Sequence, residues 1–383
     1  MTASRRGSGA DVTGVGHALA ILGGAVLVLL MLTDAIGTLI VTRARSGRWR
    51  PTRLWYQVTW RLTRGCAVRL PDRAGDAVLS VYPAASLLGL LVVWLVGLLL
   101  GWALVYWGIG ASAAGSNSWG TLVYYAGTSL LTPSFGSARG TAARLLSLVE
   151  ALTGLGTIAL LISYLPALYG AYSRREARLL TLDDPAGGRL VPARVIAVHS
   201  VGGNLELLYR FFADWEGWTA EVLESHVSYP MLALFRSQHP GQSWITALGV
   251  VTDAATLTCA CVDGADQREA YFLHRRGQRA VVEIAFSLGV PTARPAESWL
   301  TRENMERAWE MLVELGLPLR DPDEAWARLQ DLRTTYGSRL EDLIDYLVAP
   351  RGFWGHSAGA TVTDAVARAS AEAKQRARRA GRP

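Results

Sequence analysis

At 383 residues the chain has room for two or three domains, and its net charge of +6 raises the question of a polyanionic partner. The placement of the arginines excludes nucleic acid. Nine of them, from Arg43 to Arg73, lie between two apolar stretches and interleave with Trp49, Trp55, Tyr56 and Trp60, as expected of a cytoplasmic loop with aromatics at the headgroup level. Three cysteines supply no disulfide framework. The sequence holds no P-loop, EF-hand loop, GxGxxG after a strand, or His/Cys set with metal-ligand spacing. Without a clustered nucleophile, base or metal set, an enzyme is not expected, and neither is a bound cofactor.

In chain order, residues 1–17 read as an extramembrane tail and 18–42 as a first membrane helix, in which Asp34 is the only ionisable residue. Two readings of Asp34 stand: a functional intramembrane carboxylate, or one near the inner interface within reach of Arg43 or Arg45. The apolar stretch is too long for the core of a cleaved signal peptide, and a retained span is expected. Residues 43–83 form the basic, aromatic loop, with an amphipathic helix over about 53–64 lying along the inner surface. Residues 84–107 are a second span and 145–169 a third. Charge bias puts the N-terminus outside and the segment after Arg174 in the cytoplasm, in a multi-pass protein of the plasma (cell inner) membrane.

Between the second and third spans, residues 116–140 are too apolar for an external loop and too short to cross twice. Residues 118–131 suit a short re-entrant helix begun by Asn117 or Ser118 and ended by Pro133 and Gly136. Irregular backbone at membrane depth is tolerated only when buried in protein or lining water. The run Gly127-Thr128-Ser129-Leu130-Leu131-Thr132-Pro133-Ser134-Phe135-Gly136-Ser137 resembles the pore signature of bacterial two-span potassium-channel-like proteins. Gly127, Thr128, Thr132, Phe135 and Gly136 match it. The third span, ending Ile162-Ser163-Tyr164-Leu165-Pro166-Ala167-Leu168-Tyr169, and the Ser173-Arg174-Arg175-Glu176 exit are also similar to that family, so the resemblance covers about residues 84–178.

The resemblance implies a potassium-channel-like pore module over 84–170, with K⁺ as permeant ion, no other metal, and Thr132, Pro133, Ser134, Phe135 and Gly136 as filter. One pore loop per chain implies a homotetramer. This chain departs from the pattern at three positions. Ser134 stands where the family has Gly, at about 1 kcal/mol or more per subunit. Pro133 removes an N–H. Ser137 replaces an Asp, taking away a negative ring at the outer mouth. A non-conducting, channel-derived scaffold or signalling protein is the alternative.

Two placements fit Glu150, at a depth comparable to the filter: behind the pore helix, bonded to Ser129, Thr128 or a backbone N–H, or facing the pore as a cation site. Bracing is favoured. Gly154 and Gly156 offer either an inner-helix hinge or close helix packing.

From Ala171 onward the periodicity predicts an all-α cytosolic domain to about residue 355. Helices are expected over about 171–182, 192–201, 204–212, 218–235, 243–262, 268–288, 301–315 and 322–347. The 243–262 segment is apolar, but Asp253 at its centre marks a buried core helix. The turns His226–Pro230 and Arg236–Pro240 offer a ligand site or satisfied structural turns. Residues 356–383 read as a basic, flexible tail able to meet anionic lipid headgroups.

Overall fold

The computed structural model describes residues 7–40, 50–113, 115–131, 141–182, 191–200, 204–238, 242–264, 267–290, 299–350 and 354. Among them the chain is all-helical, with no strand. It divides into two compact units, 1–169 and 170–383.

In the first unit, α1 (Gly7–Leu39) and α3 (Asp72–Gly108) are long apolar helices. They cross closely because glycines line the contact. A Cβ on Gly24 would come within 2.5 Å of the Gly101 carbonyl, one on Gly101 within 2.8 Å of Val28, and one on Gly108 within 2.8 Å of the His17 carbonyl. Small residues of this kind drive helix association where no hydrophobic effect operates. Helix α2 (Pro51–Ala67) begins with proline at a position where no N–H is needed. It lies against α3 through Trp60 on Tyr82, with ring centroids 5.1 Å apart, and Trp55, whose indole donates to the Ser86 carbonyl at 2.9 Å.

Helix α4 (Trp119–Leu131) has 13 residues, about 20 Å of rise against the ~30 Å of a bilayer core. Ser118 Oγ accepts the Thr121 N–H at 3.4 Å and caps its start. The apolar face of α4 (Leu122, Tyr125, Ala126, Leu130) shares one buried cluster with Trp94, Leu98, Trp102 and Tyr106 of α3. Helix α5 (Thr141–Leu179) buries one narrow stripe in this unit: Ala143, Glu150, Gly154, Thr157, Leu161, Tyr164 and Leu168. Leu145, Leu148, Leu152, Leu155 and Ile162 remain uncovered.

The second unit contains the end of α5, then α6 (Pro192–His199), α7 (Glu206–Ser228), a 3₁₀ turn (Pro230–Leu234), α8 (Trp244–Cys261), α9 (Arg268–Leu288), α10 (Arg302–Glu314), α11 (Pro322–Thr334) and α12 (Gly337–Tyr346). Helix α8 is its axis, packed by α6, α9, α11 and α12. Among the described residues four helices are long and apolar enough to cross a membrane, α8 among them. The share of its apolar window buried inside the protein is 94%, against 22–39% for α1, α3 and α5, so α8 is already covered by protein.

Several boundaries differ from the sequence expectation. The break foreseen near Tyr169 is absent, because the composition shift changes the solvent and not the helix: α5 is continuous to Leu179. The helices expected over 204–212 and 218–235 are one from Glu206 to Ser228, since Gly217 sits in open space and nothing forces a turn there, and the rest of the second is the 3₁₀ turn Pro230–Leu234. The single helix expected over 322–347 is two, interrupted where Tyr336 turns its ring into the core.

Candidate functional site

The filter candidates Thr132, Pro133, Ser134, Phe135 and Gly136 lie outside the described residues. What flanks them is defined. The last turn of α4 rests on α5 at Gly154, where an added Cβ would collide with the Leu130 carbonyl oxygen. Only glycine permits that approach. Gly156 has open space around its Cα.

One turn before Gly154, Glu150 is fully buried. Its Oε2 accepts the Tyr106 hydroxyl of α3 at 2.7 Å. The Tyr106 ring stands edge-on to Tyr125 of α4, centroids 5.1 Å apart. Three helices therefore meet in one polar layer behind α4. Trp102 adds a second tie from α3 to α5, donating to Thr153 Oγ1 at 3.2 Å. Thr153 in turn donates to the Glu150 carbonyl at 2.7 Å. The partners foreseen for Glu150 are not the ones it uses. Thr128 Oγ1 donates to Tyr125 O at 2.9 Å. Ser129 Oγ and Glu150 Oε1 are both buried with no hydrogen-bond partner among the described residues.

Asp34 forms a second centre, at the other end of the α1–α3 crossing. It is 3% exposed. Oδ1 accepts Arg50 Nε at 3.1 Å; Oδ2 accepts the Thr52 N–H at 3.0 Å, the Thr52 hydroxyl, and Trp94 Nε1 at 3.0 Å. Arg43 and Arg45, the partners expected for it, lie outside the described residues. The carboxylate ties α1 to the start of α2 and to α3, and its acceptor sites are filled by donors from three directions.

The second unit contains two buried clusters that sequence reasoning did not find. In the first, Asp253 at the middle of α8 accepts from Tyr336, from Trp354 and from Arg333 Nε at 3.3 Å. Arg333 Nη1 donates to Glu341 Oε1 at 3.1 Å. Thr256 Oγ1 bridges the Tyr336 hydroxyl at 2.8 Å and His274 Nδ1 at 2.9 Å. Burial, helped by Arg275, pushes the His274 imidazole down to about 4. Burial also raises the Glu341 carboxyl, outweighing the pull of Arg333.

In the second cluster, Arg175 is buried at the end of α5. Its Nη1 donates to the Leu232 carbonyl at 3.1 Å and lies 3.3 Å from His226 Nε2; its Nη2 donates to the Phe235 carbonyl at 2.8 Å. Glu176 pairs with it at 2.8 Å, and the guanidinium sits over the Tyr172 and Trp244 rings. The His226–Pro230 turn is thus occupied by this contact. Arg236 donates to the Leu347 and Val348 carbonyls at 3.4 and 3.2 Å. His239 and Pro240 lie outside the described residues. A pattern signal for either cluster is absent, since the contacts that define them, Arg175 with His226 and Asp253 with Trp354, join residues 51 and 101 apart in sequence.

Among the described residues no group of three or more His, Cys, Asp or Glu side chains converges as a metal site would require. Compared with known proteins, the chain matches no family model, no curated protein and no solved structure.

Proposed function

We propose that this chain is one subunit of a tetrameric pore-loop cation channel in the plasma membrane, with K⁺ the favoured permeant ion. The observation that carries the reading is the placement of α4. A helix too short to cross a bilayer lies between two long apolar helices, packed on α3 and seated against Gly154 of α5. The sequence Thr132-Pro133-Ser134-Phe135-Gly136 follows it directly.

In this reading α4 is re-entrant, and the carbonyl-rich end of its dipole faces the cation path. The backbone carbonyls of Thr132 to Phe135 replace the ion's water shell during passive conduction. Glu150, Tyr106 and Gly154 hold α4 in place from behind. One such segment cannot enclose a path, so four copies surround it. The uncovered leucines of α5 and α1 then face neighbours or lipid tails. Arginines 43–73 and the helical second unit lie on the cytoplasmic side, with the N-terminus outside.

Purified protein in liposomes tests the proposal by K⁺ and Na⁺ flux against an impermeant cation. Flux with K⁺ at or above Na⁺ is expected. A specific feature favours a second reading, a non-conducting scaffold: Pro133 and Ser134 disturb a carbonyl-lined strand. If the native chain passes no ion while Pro133→Val with Ser134→Gly does, the scaffold reading replaces the channel.

A further inference from the structure

We propose that the Arg175–His226 contact is a proton-operated clamp: neutral His226 holds the end of α5 in the helical unit, and a proton on its Nε2 releases it. The inference goes beyond the conduction reading and does not depend on it.

The geometry fixes the protonation state. A guanidinium has donors only. With Arg175 Nη1 3.3 Å from His226 Nε2, that nitrogen must be the acceptor. Nδ1 lies 2.8 Å from the Val222 carbonyl and must carry the hydrogen. Both ring nitrogens are thereby assigned, and no lone pair remains for another proton without losing the Arg175 bond. Both side chains are buried, Arg175 at 2% exposure and His226 at 0%. A second proton would therefore place two cations face to face in a dry site.

Among the described residues no acid touches His226 itself, and the nearby Glu176 is engaged by Arg175. From α5, His226 faces Arg175, whose charge is shared with Glu176 and whose guanidinium lies over Tyr172. From α8 it meets the Trp244 ring at 4.2 Å, and from its own helix Ser225 Oγ at 3.3 Å from Nδ1. The Pro230–Leu234 turn contains no titratable side chain. Burial first, and the Arg175 charge second, hold the imidazole well below its ordinary 6.5.

The consequence is local. Arg175 ties the α5 end to the 3₁₀ turn and the residue after it through the Leu232 and Phe235 carbonyls, beside the Tyr172 hydroxyl, which donates to the Arg236 carbonyl at 3.1 Å. The open state, with Arg175 withdrawn, leaves His226 at its ordinary pKa of ~6.5. The first unit of acidification below that pH favours the open state about fivefold, and each further unit about tenfold.

Hydrogen exchange of the full chain in lipid nanodiscs tests this, read on peptides covering 230–236 and 172–179 and corrected for the intrinsic effect of pH. From pH 6.5 to 5.5 the opening constant is expected to rise about fivefold. In His226→Gln, whose amide oxygen accepts from Arg175 but binds no proton, the rise is expected to stay under about twofold. His226→Lys, charged at all these pH values, is expected to show at pH 7.5 the exchange that the native chain shows in acid. Exchange in the native chain that ignores pH, or a rise of about fivefold retained in His226→Gln, overturns the proposal.

Discussion

Tyr106 of α3 gives its hydroxyl hydrogen to Glu150 of α5 at 2.7 Å, while its ring rests edge-on against Tyr125 of α4. One side chain thus joins all three helices around the segment that precedes the filter candidates. Tyr106→Phe keeps the ring and removes the donor, stripping a buried carboxyl of its hydrogen bond. A loss of about 1–3 kcal/mol is expected in thermal unfolding of the nanodisc-held protein. Adding Glu150→Leu to Tyr106→Phe should recover part of that loss, because neither partner is then stranded. A double variant less stable than Tyr106→Phe alone contradicts the pairing.

The two glycines of α5 should behave oppositely. Gly154→Ala drives a Cβ into the Leu130 carbonyl and must displace the end of α4; a destabilisation of about 1–3 kcal/mol is expected. Gly156→Ala meets nothing and should stabilise the helix by about 0.5–1 kcal/mol. Equal effects at both positions in a melting comparison would remove Gly154 from the α4 contact.

His274 adds a pH dependence of defined sign. Its folded-state pKa of about 4 lies below the ordinary 6.5. The stability it contributes is complete above 6.5 and is lost as pH falls towards 4, by about 3 kcal/mol over that range. Unfolding of the full chain followed from pH 7 to pH 4 should therefore steepen below 6.5, and His274→Gln should remove that share of the slope. An unchanged slope in the variant would place the titration elsewhere.

Val348 is a β-branched residue in the left-handed region, at φ 52°. It is pinned there by Arg236 on its carbonyl and by the Ala349 N–H on Ile344 O at 2.9 Å. Such a conformation is disfavoured for valine by about 1–2 kcal/mol. Val348→Gly relieves the strain without breaking either bond and is expected to raise stability by about 1 kcal/mol. A lower melting temperature would show that the valine's packing outweighs its backbone.

The outline of this fold was legible because it is periodic. Long apolar runs announced α1, α3 and α5, and α8 could be read as a core helix from a single Asp at its centre. Depth along a helix was also legible, which is why Glu150 and Asp34 could be singled out. Their partners were not. Tyr106 lies 44 residues before Glu150, and no local pattern distinguishes it from any interfacial tyrosine. Arg50 is one of nine loop arginines, and what selects it is its position at the head of α2, where Thr52 supplies two more donors to the same carboxylate. The Asp253–Arg333–Glu341 cluster was hidden for the same reason. A charged residue on an apolar helix signals that it must be paired, and its sequence does not say with whom. The break between α11 and α12 depends on Tyr336 reaching Asp253, a tertiary contact that overrides a continuous helical pattern.

The glycine seam between α1 and α3 bears on how the protein is built into its membrane. Gly97, Gly101 and Gly108 leave gaps on the flank of α3 that Met31, Val28 and Ile21 of α1 enter. Inserted alone, α3 would present those gaps to lipid and would leave the Trp94 indole N–H without its acceptor. Inserted alone, α1 would carry Asp34 into the bilayer without Arg50 or Thr52. Each helix completes what the other lacks, so the contacts of Asp34 and of the glycine seam exist only when α1, the start of α2 and α3 are together.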